Sequence, residues 1–493
     1  KFLIKPLTHL INSSFISGIF PDKLKISKVK TVFKKGNTTD PNNYRPLAIL
    51  PSFSKIYERA MYMRLMEFLE TNELFDSEQH GFRPGKSVTT AGIDFIESIT
   101  DAVDRGDYAA GIFMDLCKAF DSVSHNNLIS TLRDLGIIGM PLNWLQSYLK
   151  DRKQYVETSF KNKFNQLICI NSKLKNILHG VPQGSILGPI LFLCYLNGLP
   201  QTVKNSGTKM CLYADDSNLI ISNKSLQVIE DQAQSDLISV RNYFSNKNLL
   251  LNLEKTNFVL FSTRQNKCVD SPKIEIGQVK LNQLDSTKFL GMVLDKNLTW
   301  NEHTHAVLNK LSSGLYDLRS ISKFCRLDVL KLKLVYFAHI HSHISFGIVL
   351  YGATSDQNLQ SIPHILKQAI HIMINLEDRE SAKQHFQTLG ILTVYGLYIL
   401  DTVVAVRKAR DRLPVLGSSH GYLTRNQNQL AVPKLKLEFK RKKPLVAGVK
   451  FYNSIPENIK SIPNVKLFRL KLKEYLVDKT LYSFNEFFES SVE

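Results

Sequence analysis

Asp215 and Asp216 stand side by side in L-Y-A-D-D-S-N-L-I-I-S, flanked by apolar runs. Adjacent carboxylates repel each other unless a cation sits between them. A third carboxylate, Asp115, emerges from the apolar run Y-A-A-G-I-F-M-D-L, and neither Asp115 nor Asp215 has an Arg or Lys beside it. The adjacent pair alone also reads as a tight turn, for which Asp is a favoured residue. A solvated turn, however, more naturally uses Asn-Gly or Asp-Gly and needs no apolar strand on each side. Oxygen donors without a neighbouring His or Cys suit Mg²⁺ better than zinc. Two such ions clamping the attacking and leaving oxygens are the machinery of in-line phosphoryl transfer.

Such carboxylates need rigid carriers. Y-A-A-G-I-F-M-D-L reads as a strand, as do K-M-C-L-Y-A and S-N-L-I-I-S on either side of Asp215 and Asp216. N-F-V-L-F-S and K-F-L-G-M-V-L read as two further strands. Helices are expected over about 54–70 and 88–103, over His125 onward with Ser124 as cap and Gly136 as stop, and over about 226–244. Leu3, Ile4, Leu7, Leu10 and Ile11 share a face of an opening helix. The stretch S-I-L-G-P-I-L-F-L-C-Y-L-N-G-L-P reads as a buried core helix, not a membrane span. A basic, turn-rich segment, F-K-K-G-N-T-T-D-P-N-N-Y-R-P, lies upstream. From about residue 300 to 407 the pattern is mostly helical. A Gly-, Ser-, Asn- and Gln-rich linker follows over 411–429, and then a basic tail.

The chain has 493 residues and a net charge of +19, with 43% hydrophobic residues. That size accommodates several domains and a large core. The charge implies a polyanionic partner, most simply nucleic acid. Six cysteines with no C-x-x-C pair argue against a zinc knuckle and a disulfide framework and for a reducing compartment. No secretory signal is visible, because Lys5 follows too soon after Phe2-Leu3-Ile4, and an initial Lys suggests a piece of something longer.

F-M-D-L-C-K-A-F-D-S-V, G-V-P-Q-G-S-I-L-G-P-I-L-F, Y-A-D-D, L-N-L-E-K-T-N-F-V-L-F and F-L-G-M-V-L-D occur in the order of the palm motifs of reverse transcriptases. With N-Y-R-P-L-A-I-L and Q-H-G-F-R-P-G-K-S upstream, the chain resembles the non-LTR, jockey-like retrotransposon branch. The resemblance implies an α+β right-hand polymerase: fingers over 1–106, a palm with an antiparallel sheet over 107–299 and a helical thumb over 300–410. A linker over 411–429 and a small basic C-terminal region over 430–493 complete the expected division.

It further implies RNA-directed DNA synthesis from dNTPs on an RNA template and a DNA primer. Asp115, Asp215 and Asp216 would hold two Mg²⁺ ions, with Mn²⁺ as a substitute, helped by the carbonyl of Leu116. Phe120 would exclude a 2′-hydroxyl, and Gln183 and Gly184 would line the nucleotide site. Arg45 would grip the triphosphate, assisted by Lys34 or Lys35. Lys255 would protonate the leaving pyrophosphate. Arg83 and Tyr213 would approach template or primer. The basic run Lys440–Lys443 reads as a phosphate contact, a localisation signal or a solvated stretch.

An element-encoded RNA-binding protein is a further partner the resemblance brings, with no role for a membrane and a ribonucleoprotein location in nucleus and cytoplasm. Members usually carry an upstream endonuclease, for which there is no room before the fingers. The thumb run Leu366-Lys367-Gln368-Ala369-Ile370-His371 lacks polar and basic positions expected there. These departures leave a second reading, a decayed or domesticated copy that binds nucleic acid without catalysis. A viral RNA-copying polymerase is disfavoured by Phe120 and by Tyr-Ala-Asp-Asp in place of Gly-Asp-Asp.

Overall fold

The computed structural model describes residues 2–263, 265, 271–324, 328–354, 356–377, 380–416, 429–432 and 443–489. At its centre is a sheet whose neighbouring strands run Asn282–Gln283, Asn257–Phe261, Tyr108–Met114, Asp216–Asn223 and Thr208–Tyr213. All neighbours are antiparallel except the short Asn282–Gln283 pairing. Side chains alternate across a strand. Ala109 and Phe113 therefore enter one core while Ala110, Ile112 and Met114 enter the other. Strand Asn257–Phe261 divides the same way, Val259 and Phe261 against Phe258 and Leu260. A sheet covered on both faces explains why Y-A-A-G-I-F-M is a continuous apolar run.

Helices Ser52–Thr71, His125–Asp134, Gly139–Leu149, Leu187–Leu196 and Leu226–Asn246 contribute to one core. Leu187–Leu196 is buried along its whole length, as its composition requires. Helix Val88–Asp104, capped by Ser87, joins the other core with the helices beyond Trp300. Among the described residues no single helix is long and apolar enough to cross a membrane.

A second sheet, in the order Tyr44–Ile49, Ile26–Phe33, Lys153–Lys161 and Leu167–Asn171, brackets the basic segment, whose turns run from Lys34 to Asn43 between its first two strands. Its strands mix Lys with Val and Ile and expose much of both faces, so no simple alternation marks them. K-F-L-G-M-V-L is likewise not one strand. It is a hairpin of Ser286–Phe289 and Met292–Asp295, reversed at Leu290, which takes a left-handed φ of 47°, and Gly291.

Residues 417–428 of the expected linker, and Lys440 to Lys442 of the basic run, lie outside the described residues, as do Cys268 and Cys325. Where the linker enters and leaves, the backbone pairs, Leu416 N–H donating to Gln429 O at 2.8 Å. Helices Pro444–Ser454 and Val465–Lys479 then pack on Val394–Ala409, in the same core as the other helices beyond Trp300. Lys443 does not reach for phosphate: it is buried and ion-paired with Asp101 of helix Val88–Asp104.

Candidate active site

Strand register brings the three aspartates together. Met114 pairs with Ser217, so Asp115, the next residue, leaves its strand beside Asp216. Tyr213 pairs with Asp216, making Ala214 and Asp215 the two-residue loop of a tight hairpin. The carbonyl of Asp115 accepts Asn252 N–H at 2.8 Å, and Leu116 bridges Leu251, so the exit of the central strand is held as well.

Electrostatics report the crowding. The Asp216 carboxyl is pushed up to about 6 by its packed surroundings first, then by Asp215 and Asp115, although the residue as a whole is exposed to solvent. Asp215 is raised too, mainly by burial and then by Asp115, against the lowering pull of its own backbone N–H, Arg45 and Lys34. Lys255 Nζ lies 3.0 Å from Asp115 Oδ2. Among the described residues no three His, Cys, Asp or Glu side chains form a ready-made metal cage. Carboxylate oxygens that raise one another's pKa nevertheless have the donor chemistry of a hard divalent cation site. Asp115, which faces Lys255 here, has to share its oxygens for such a site to close.

Cations from the second sheet gather opposite. Lys34 has its pKa lowered by partial burial, then by Arg45 and Lys255, against Asp115. Lys35 is exposed and adds only a smaller push on Lys34. Ala48, three residues after Arg45, donates its N–H to Gln183 O at 2.8 Å. Gly184 sits at φ +121°, where a Cβ would stand 2.5 Å from Ala48 O, so only glycine fits this close approach. The Gln183 amide lies 3.5 Å from Asp121 Oδ2. Phe120 is half-buried and stacks on Phe192 with ring centroids 4.5 Å apart, which fixes its ring. Asp115, Asp216 and Lys255 line one cavity, and Lys34 and Arg45 are close enough to act on Asp215, while Gln183 and Gly184 lie against Ala48 of the second sheet.

Arg83 and Tyr213 have partners within the protein. Arg83 is committed to a bidentate pair with Glu70, at 2.9 and 2.8 Å, and to Asp76 O at 2.7 Å, over the Phe75 ring. It anchors its own loop, leaving its guanidinium already engaged by protein groups. Tyr213 is half-buried against the thumb-side core. In the thumb run, Leu366, Ala369 and Ile370 are buried, while Lys367, Gln368 and His371 line a polar groove with Arg319 and Tyr482.

Glu58 was missed by sequence reasoning. Fully buried on helix Ser52–Thr71, it accepts the N–H groups of Ile186 at 2.7 Å and Leu187 at 3.3 Å and the Ser54 hydroxyl at 2.8 Å. It caps the core helix directly behind Gln183 and Gly184. The signal was present: a Ser and a Glu share the helix face of Met61 and Leu65, where a charge needs a partner.

Residues 32–294, more than half of the chain, match the family model described as reverse transcriptase (RNA-dependent DNA polymerase). The chain belongs to that family, and its sheet, acidic hairpin and enclosing helices are the family's right-hand polymerase architecture. It is 26% identical over 377 residues to a probable RNA-directed DNA polymerase from transposon X-element of Drosophila melanogaster, covering 75% of this chain and 40% of that one. Similarity to the RNA-directed DNA polymerase from mobile element jockey of the same species is 26% over 369 residues, 72% of this chain and 38% of that one. The chain therefore spans about 40% of the length of these curated relatives. Telomerase from Candida albicans superposes with a TM-score of 0.40 at 13% identity, over 80% of this chain and 71% of that one. A superposition so loose bears on no detail of the site.

Proposed function

We propose that this chain is the RNA-directed DNA polymerase of a non-LTR retrotransposon, extending a DNA primer on an RNA template. The observation that carries this reading is the convergence of Asp115, Asp215 and Asp216 by strand register, faced by Arg45 and Lys34. An acidic centre opposite a cationic wall is what a triphosphate substrate needs.

The residues divide the work. Asp115, Asp215 and Asp216 would hold two divalent cations, Mg²⁺ by donor chemistry, which when bound activate the primer hydroxyl and neutralise the leaving pyrophosphate. Arg45 and Lys34 receive the triphosphate, and the Gln183–Gly184 turn lets the backbone come close to the nucleotide. Phe120 blocks the position of a 2′-hydroxyl, which selects deoxynucleotides. Lys255, which pairs with Asp115, is placed to deliver a proton to the departing pyrophosphate. Template and primer lie along the basic surface, and the protein works as a ribonucleoprotein in nucleus and cytoplasm.

Primer extension on poly(rA)–oligo(dT) with Mg²⁺ and dTTP tests this, with Asp215→Asn alongside. Extension by the wild type alone supports the reading. A folded wild type that binds the hybrid but extends nothing would overturn it in favour of a binding protein.

A further inference from the structure

The outer strand of the palm sheet, Thr208–Tyr213, does not end bare. Residues 78–81 run beside it: Leu212 N–H donates to Glu78 O at 3.0 Å, and His80 N–H donates to Leu212 O at 2.8 Å. At the hairpin this backbone pairing gives way to a side chain. Gln79 Oε1 accepts the N–H of Ala214 at 2.9 Å and the N–H of Gly81 at 2.8 Å. Gln79 and Ala214 are each only 4% exposed, so water does not compete for these groups.

Ala214 needs such a partner. Its φ of +56° lies in the left-handed region, which a residue with a Cβ seldom occupies. Gly81 allows the approach: a Cβ there would stand 2.4 Å from Ala214 N and 3.1 Å from Ala214 Cα. Ala214 is the residue directly before the two aspartates, so its backbone decides where they point.

We infer that Gln79, with Gly81 as its spacer, is a positioning residue that holds Ala214 left-handed and so aims Asp215 and Asp216. The inference rests on the polymerase reading only for its effect on rate; the clamp itself is a matter of backbone geometry. Removing the acceptor while keeping the bulk loosens the hairpin and weakens divalent-cation binding. Groups that orient metal ligands from behind typically change affinity or activity by about 10–100-fold.

The test is Gln79→Leu, read by amide hydrogen exchange over residues 212–216 and by Mn²⁺ titration followed by electron paramagnetic resonance, neither of which needs turnover. The expected result is faster exchange at Ala214 and roughly tenfold weaker Mn²⁺ binding. A folded Gln79→Leu with wild-type exchange and wild-type Mn²⁺ affinity would overturn the inference. Gln79→Glu keeps an acceptor oxygen and so retains slow exchange at Ala214; fast exchange in that variant also overturns it, even where the leucine variant does not fold. A wild type inactive in primer extension sinks the polymerase reading and leaves both of these measurements intact.

Discussion

The raised carboxyl of Asp216 makes a claim about stability. Its folded pKa of about 6 lies above the ordinary carboxylate value, so the folded state favours the protonated form. The stabilisation is complete below the unfolded pKa and is lost as pH rises through about 6. Asp216→Asn therefore raises the melting temperature at about pH 7.5 without divalent cations, and the gain shrinks toward pH 4. Thermal scans at the two pH values check this, and equal gains at both contradict it. Lys255 gives the opposite pattern. Its pair with Asp115 is more than one-third exposed on both sides and contributes at most ~0.5 kcal/mol. Lys255→Ala should leave melting nearly unchanged while slowing single-turnover extension by about 100-fold. A rate within a fewfold of wild type would remove its proton-donor role. The aspartates could be found in the sequence because each stands at the end of an apolar run. Gln79 and Glu58 could not be placed so readily, because the hairpin and the core helix they hold, at Ala214 and Ile186, lie more than a hundred residues away.

At the scale of elements, the central strands and the main helices follow from local pattern, since both faces of Tyr108–Met114 are buried and its run is apolar throughout. The second sheet escaped because Leu167–Asn171 is exposed along its whole length, and exposure erases the period-two signal. The Ser286–Asp295 hairpin escaped because its turn, Leu290-Gly291, sits inside an apolar run. Glu58 joins the two kinds of element, a finger helix and the core helix behind the nucleotide turn. Replacing it with Ala strands the buried N–H of Leu187 and leaves Ile186 without its partner, costing ~2–3 kcal/mol. Urea unfolding measures that loss, and the KM for dNTP rises with it as the Gln183–Gly184 turn loosens. A variant with wild-type stability and KM would show the cap to be dispensable.

The whole molecule carries +19, and the carboxylates of the site oppose only a small part of it. Binding to an RNA–DNA hybrid should weaken steeply with salt, the slope of log K against log salt being roughly 0.7–0.9 per phosphate neutralised. Fluorescence anisotropy at several salt concentrations gives that slope, and affinity indifferent to salt would contradict an electrostatic grip. The C-terminal helices matter at this scale as well. Phe451, Phe468, Leu472, Leu476 and Phe487 are buried in the same core as the helices beyond Trp300 and helix Val88–Asp104, so the small basic C-terminal region packs into the body of the molecule.

That shared core has a consequence during synthesis on the ribosome. Thumb helices made early, from Asn301 onward, have no complete interior until Val465–Lys479 emerges more than a hundred residues later. A nascent chain interrupted before that point holds its acidic hairpin yet lacks part of the core that the helices beyond Trp300 share with the last helices. Arrested chains of increasing length, probed by limited proteolysis, should show protection of residues 301–409 appearing only once residue 479 has cleared the exit tunnel. Protection that arrives earlier would mean the thumb matures without its last helices.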